Sequence, residues 1–233
     1  MNWLSRFELL VGKENIEKIK TKIVLIIGLG GVGSYTIESL VRSGINNFII
    51  VDKDIIDITN LNRQLMTDTE NIGLKKVDVI ESRMKKINPN INIVKYDLCV
   101  DLDNINILFE NNIDYLVDAC DDLKVKKELI RICSKKDIKL ISSMGTGNKM
   151  DPSKLEIIDI RKTSVDPLAR NIRKMVKDER IKKKIPVVCS TEQPIKNDSN
   201  IIGSNSFVPS TAGLLIASYV IRDIIGDLNE NNK

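Results

Sequence analysis

Short apolar runs bounded by polar turns recur along residues 1–145 of this chain. Lys22–Ile27, Phe48–Val51 and Tyr115–Ala119 are nearly all apolar, the pattern of strands buried on both faces, and Lys139–Ser142 reads as a further strand. Ile91–Tyr96 alternates instead. Between these runs, Asn15–Lys20, Val32–Arg42, Leu74–Ile87, Leu102–Asn111 and Leu123–Lys135 show helical apolar spacing. The third of these helices stops before Asn88-Pro89, because the residue before a proline disfavours helix. Strands alternating with helices predict an α/β fold: a Rossmann-like, mostly parallel twisted sheet flanked by helices.

From Gly145 the texture changes. Gly145-Thr146-Gly147 reads as a loop, and Leu155–Ile160 and Pro186–Cys189 as short strands. Asp166–Val176 reads as a helix capped by Asp166, with Pro167 at its first position. Gln193–Gly203 is polar and predicts a loop. Pro209–Ile225 predicts a helix with a strong apolar face. Its uncharged stretch, Phe207–Ile221, is short for a bilayer, so it predicts a packing or dimer helix without membrane insertion. The expected organisation is a single domain. A nucleotide-binding core, 1–145, would carry an extension, 146–233, of short strands and helices for substrate binding and dimerisation.

Residues 28–33 read GLGGVG, directly after the first strand and at the start of a helix. Gly28 allows the tight turn, Gly30 and Gly31 let backbone approach phosphate, and Gly33 permits close helix–sheet packing. The N–H groups at such a helix start face the phosphates. Asp52 follows nineteen residues after the last of these glycines, where an acid holds a ribose. The fingerprint predicts a nucleotide and leaves NAD and ATP open.

The residues beyond Asp52 separate the two. Residues 52–64 read DKDIIDITNLNRQ, so Asp54, Asn60, Arg63 and Gln64 stand at the mouth of the same site. Lys76 opens the next helix, and Asp121 follows a later strand to the same edge. Two cations and an amide over a phosphate chain, with a carboxylate for Mg2+, suit phosphate chemistry; hydride transfer gains little from them. Cations there would offset charge as an adenylyl group moves and pyrophosphate leaves.

Composition narrows the chemistry further. The chain has no histidine, which excludes His-containing metal sites and an imidazole proton shuttle. Its four cysteines form no CxxC pair, which argues against a zinc knuckle. Cys99, Cys120 and Cys133 lie in or beside apolar stretches and predict buried structural thiols. Cys189 has no histidine to activate it as a nucleophile. The net charge of +4 is compatible with nucleic acid without singling it out. Met1–Arg6 shows no signal-peptide pattern, and reduced cysteines fit a cytoplasmic protein.

GLGGVG, Asp52, TNLNRQ, Lys76 and DACDD together resemble the ubiquitin-activating, E1-like (ThiF/MoeB-type) adenylation superfamily. The resemblance implies that Asp52 holds the ribose, that Asn60, Arg63 and Lys76 hold the triphosphate, and that Asp121 lies near Mg2+. It also implies a homodimer in which Arg6, in SRFELLVG, reaches the ATP of the partner subunit. Within that superfamily, MGTGNKMDPSKLEIIDIRKTSVDPLARNIRK, VVCSTEQP and SFVPSTAGLLIAS resemble the branch of tRNA threonylcarbamoyladenosine dehydratases. The similarity runs from about Leu4 to Ile225.

That branch implies ATP-dependent cyclisation of threonylcarbamoyladenosine beside the tRNA anticodon. The threonyl carboxylate is adenylated, and intramolecular attack closes a hydantoin-type ring and expels AMP. Because attack is intramolecular, proximity supplies much of the rate and no histidine is required. Arg63, Lys76, Asp121 and Arg6 would be the catalytic groups. A loop within Gln193–Gly203 would shield the adenylate from water. Arg161, Lys162, Arg170, Arg173, Lys174 and Lys182–Lys184 would face the tRNA. The resemblance also admits a monovalent cation (K+ or Na+) and a cysteine desulfurase or sulfur-acceptor partner. Three other readings stay open at the level of sequence: an activator of a ubiquitin-like sulfur carrier, an NAD-dependent oxidoreductase, and a nucleotide sensor without turnover.

Overall fold

The computed structural model describes residues 2–196 and 201–226. Two short helices open the chain, α1 (Ser5–Val11) and α2 (Lys13–Lys20), with Gly12 between them at φ 82°. The apolar spacing revealed α2 but not α1, whose Leu9 and Leu10 face solvent. Then follow β1 (Ile23–Ile27), α3 (Gly33–Arg42), β2 (Asn47–Asp52), α4 (Lys76–Ile87), β3 (Asn92–Asp97), β4 (Tyr115–Asp118), α5 (Leu123–Lys135) and β5 (Lys139–Ser143). The stretch expected as a helix over Leu102–Asn111 is instead a 3₁₀ turn, Ile105–Phe109. Its Ile105, Leu108 and Phe109 are nonetheless buried, so the apolar spacing marked the packing and not the helix type.

The second part supplies β6 (Leu155–Asp159), α6 (Pro167–Asp178), β7 (Pro186–Ser190) and α7 (Phe207–Ile225). Asp166 caps α6 by accepting from Ala169 N–H at 2.9 Å, with Pro167 at the first position. All seven strands form one sheet in the order β3-β2-β1-β4-β5-β7-β6. Every pairing is parallel except β6 with β7. The two strands of the later part therefore extend the same sheet.

β1 is an interior strand between β2 and β4, and both its faces are covered. Val24 and Ile26 join the core under α2, α3, α4 and α7, while Leu25 and Ile27 join the core under α5, α6 and the 3₁₀ turn. α7 lies directly on α3: a Cβ on Gly213 would stand 2.4 Å from the Val32 carbonyl oxygen, and Thr36 Oγ1 donates to Gly213 O at 3.1 Å. The long apolar helix is thus a packing helix, with ten of its nineteen residues buried in this chain.

The chain leaves β1 toward β2 on one side and returns to β4 on the other. The register pairs Ile27 with Val51 and with Asp118. Gly28, Asp52 and Ala119 therefore stand together at the carboxyl ends of three adjacent strands, where the direction of winding reverses. Open α/β sheets bind ligands in the crevice at that point.

Candidate active site

A cavity of about 550 Å³ opens at this crevice. It is lined by Gly28, Gly30, Gly31, Asp52, Asp54, Asn60, Arg63, Gln64, Lys76 and Asp121, which the sequence had singled out. Gly33 is not part of the wall: a Cβ there would fall 1.9 Å from the Gly28 carbonyl oxygen, so it serves helix–strand packing. Gly28 has φ 89°, and a Cβ on it would meet Ala119 O at 2.6 Å. Around Gly30 the space is open, the nearest atom to an added Cβ being Gln64 Nε2 at 3.8 Å. No side chain caps the first turn of α3 behind the loop. An uncapped helix start above open glycine backbone is an anion cradle.

Asp52 ends β2 and points across this cradle. Its Oδ2 accepts from Leu29 N–H at 2.6 Å and its Oδ1 from Asp54 N–H at 2.9 Å. Burial raises its carboxyl above the usual aspartate range, with Lys76 and the two N–H groups offsetting part of the rise. Lys76 is 95% buried by side-chain area, and its Nζ reaches Asp54 Oδ2 at 2.7 Å. Asn60 lies in a 3₁₀ turn, Ile58–Asn60, and its Oδ1 accepts from Asp57 N–H at 3.2 Å. Arg63 is tethered by Nη1 to Thr59 O and Asn62 Oδ1 at 2.8 and 2.9 Å. Gln64 is buried and its Oε1 has no partner among the described residues. An unpaired buried acceptor at a cavity wall is costly unless a ligand donor meets it.

Asp121 and Asp122 divide the labour at the end of β4. Asp122 caps α5, accepting from Lys124 and Val125 N–H. Asp121 makes no side-chain hydrogen bond with the described residues and lines the cavity. No group of three or more His, Cys, Asp or Glu converges on a metal position among the described residues. One carboxylate beside a phosphate cradle still fits Mg2+, which keeps several waters and takes oxygens from phosphate.

Several neighbours escaped the sequence reading. Leu98, Cys99 and Val100 line the cavity beyond β3, and Pro209 of α7 backs Gly31, where an added Cβ would stand 3.1 Å from the Pro209 Cβ. More consequential is a fully buried cluster below the cavity. Lys126 Nζ reaches Asp118 Oδ2 at 3.0 Å, Ser143 O at 2.8 Å and Ser142 Oγ at 3.3 Å. Ser142 Oγ donates to Asp118 Oδ2 at 2.5 Å, and the Cys120 thiol to Asp118 Oδ1 at 3.0 Å. A lysine amid the apolar face of Leu123–Lys135 and an aspartate ending an apolar strand were the available signals.

Burial favours the neutral thiol at three of the four cysteines, Cys120, Cys133 and Cys189. Burial and the Asp118 charge hold Cys120 well above the ordinary thiol range. Burial pushes Cys133 up to about 12 and Cys189 up to about 11. Cys99, expected as buried, is exposed. Arg6 lies on the exposed side of α1 and does not line the cavity of its own chain. Residues 197–200 of the expected covering loop lie outside the described residues. On either side of them, Ile195 N–H donates to Asn148 O at 2.7 Å and Gly203 N–H to Asn148 Oδ1 at 2.7 Å.

Residues 4–233 match the ThiF family. The chain belongs to that family. It is 39% identical to a tRNA threonylcarbamoyladenosine dehydratase of Bacillus subtilis, over 98% of this chain and 96% of that one. Its fold matches the crystal structure of the E. coli tRNA N6-threonylcarbamoyladenosine dehydratase in complex with ATP, with a TM-score of 0.89 at 29% identity, covering 99% of this chain and 98% of that one. A yeast adenylyltransferase and sulfurtransferase, from Vanderwaltozyma polyspora, is 33% identical over only 59% of this chain and 31% of its own length. The family match turns the glycine cradle from a general dinucleotide feature into part of an E1-like fold.

Proposed function

We propose that this chain is an ATP-dependent tRNA threonylcarbamoyladenosine dehydratase. End-to-end similarity to the Bacillus subtilis dehydratase carries this reading, since the match to the adenylyltransferase and sulfurtransferase covers only 59% of this chain. The ATP complex of the E. coli relative supports ATP as the nucleotide.

In this reading Asp52 holds the ribose and the Gly28–Gly31 backbone cradles the phosphates. Lys76, Asn60 and Arg63 hold the triphosphate, and Gln64 supplies a further polar contact. Asp54 releases Lys76 to the phosphate. Mg2+ held by Asp121 would offset charge on the phosphate oxygens. A threonyl carboxylate oxygen attacks the α-phosphorus, pyrophosphate leaves and an acyl adenylate forms. The carbamoyl nitrogen then attacks the acyl carbon, losing its proton, and AMP departs. The net change is loss of one water from the base and conversion of ATP to AMP and pyrophosphate. Lys76 and Arg63 stabilise charge that builds on the phosphates, and ring closure relies on proximity.

The same reading makes the protein a cytoplasmic homodimer. Arg6 is exposed and is not among the residues lining its own cavity, and α1 presents Leu9 and Leu10 at 88% and 74% exposure. Such apolar side chains on an N-terminal helix suit a subunit contact. Arg6→Ala mixed with Asp52→Ala should regain activity through hybrid dimers; no gain on mixing would place Arg6 outside the active site.

The deciding assay supplies ATP, Mg2+ and tRNA carrying the threonylcarbamoyl group, then weighs the digested nucleoside. Loss of one water with AMP release is expected. An unchanged mass from folded, ATP-binding protein would overturn the reading. ATP–pyrophosphate exchange that depends on a small carrier protein, and not on tRNA, would favour the sulfur-carrier alternative.

A further inference from the structure

α6 carries its cations along one face. Arg170, Arg173, Lys174 and Lys177 fall at spacings of three and four residues, and Arg180 and Lys182 continue the row beyond the helix. With Arg161 they line a groove of about 940 Å³, where Asp178 is the one acid among the lining residues. The helix begins at the carboxyl edge of the sheet, since Asp166 Oδ2 accepts from Gly145 N–H at 2.9 Å just beyond β5. The twelve-residue helix that carries the row then runs about 18 Å, at about 1.5 Å per residue.

The structure sorts these cations. Arg161 is engaged by Asp159 and by the carbonyls of Ile181 and Lys183. Arg173 donates to Thr163 Oγ1. Lys183, part of the basic turn read from sequence, is bound to Asp137 and to the carbonyls of Cys133 and Ile138. The side chains of Arg170, Lys174, Lys177, Arg180 and Lys182 are exposed and make no ion pair or hydrogen bond with the described residues. Lys177 and Arg180 were not singled out by the sequence. Arg180 also holds φ 53°, a left-handed conformation that suits glycine far better than arginine. Five exposed cations along one groove, with a single acid among its lining residues, make a positive surface that suits a polyanion.

We infer that this groove is a phosphate track for the RNA backbone, separate from the nucleotide cavity. It rests on the tRNA reading above and adds where the RNA is held. A row of cations along a helix matches a polyanion with evenly spaced phosphates. Such contacts set position and affinity and carry no sequence information. RNA held here leaves the modified base to the carboxyl edge of the sheet.

The test uses the full chain with Lys174→Gln, Lys177→Gln and Lys182→Gln combined, and an unmodified tRNA transcript without ATP as probe. The slope of log Kd against log salt should shrink by about 2, at roughly 0.7 for each single-strand phosphate that the protein no longer neutralises. ATP affinity, which also reports folding, should not change. With modified tRNA, KM should rise while kcat at saturation holds. A matched control, Lys13→Gln with Lys18→Gln and Lys86→Gln, should keep the wild-type slope. An unchanged slope in the groove variant, as expected if the groove takes an acidic protein, would overturn the inference. So would an equal change in the control, which would reduce the effect to net charge. Wild-type protein that binds the transcript through the groove yet leaves modified tRNA unaltered would defeat the dehydratase reading and not the track.

Discussion

Lys76 and Lys126 are both buried lysines paired with aspartate at the carboxyl edge of the sheet, and they are built in opposite ways. Lys76 is 5% exposed, but its partner Asp54 is 48% exposed. Lys126 and Asp118 are both 0% exposed, and two serines complete the coordination of the ammonium group. The first pair is open on one side, so Asp54 has water to turn to if Lys76 changes partner. The second is closed, with every charge already met. An open pair can exchange partners during a reaction, whereas a closed pair can only hold the loop in place. The loop it holds, from Asp118 to Asp122, carries Asp121 to the cavity.

The largest expected effect lies at the closed pair. Lys126→Met leaves Asp118 charged and buried without compensation, which should cost about 3–5 kcal/mol in urea unfolding. Lys126→Met with Asp118→Asn removes the charge as well, and should be clearly more stable than Lys126→Met alone. If the double variant loses at least as much as the single one, burial of an uncompensated charge is not the reason this pair matters.

The open pair should show the reverse profile. Lys76→Met should lower kcat by about 10²–10³, the scale set by losing one charge stabiliser at a transition state. Stability should change by under about 1 kcal/mol, because Asp54 has water to turn to. A loss of several kcal/mol with near-normal turnover would mean that Lys76 is structural, like Lys126. Arg63→Ala belongs with Lys76, binding ATP but turning over poorly.

The contrast explains what could be read in advance. Strand ends and glycines are local, so Gly28, Asp52, Asn60, Arg63 and Lys76 announced the cavity before it was seen. The Asp118–Lys126–Ser142 cluster joins β4, α5 and β5 through contacts that no local spacing encodes. α1 escaped because seven residues with Leu9 and Leu10 outward carry no inward apolar stripe. The 3₁₀ turn at Ile105–Phe109 shows that burial and helical spacing can agree while the hydrogen-bond pattern differs. In the basic second part, the sequence located most of the cations, but only the structure separated Arg161, Arg173 and Lys183, which are already engaged, from those that make no ion pair or hydrogen bond with the described residues.

A third kind of charge site, half open to solvent, tests whether enclosure ranks these effects. Glu38 on α3 accepts from Arg83 Nε and Nη2 at 2.7 and 3.0 Å and from Arg42 Nε at 2.8 Å. Burial acts to raise its carboxyl, but hydrogen bonds from Arg83 and Arg42 outweigh it and leave Glu38 below its ordinary value of 4.5. A carboxyl lowered on folding stabilises the native state above its unfolded value, and that contribution fades as pH falls through the lower folded value. Glu38→Gln should therefore cost about 1 kcal/mol at neutral pH, since both arginines keep access to water. The gap between wild type and variant should close as pH drops below 4.5. Urea midpoints measured from neutral pH downward would decide it. A gap that widened on acidification would reverse the sign assigned to Glu38. A neutral-pH cost matching that of Lys126→Met would show that enclosure does not set the order.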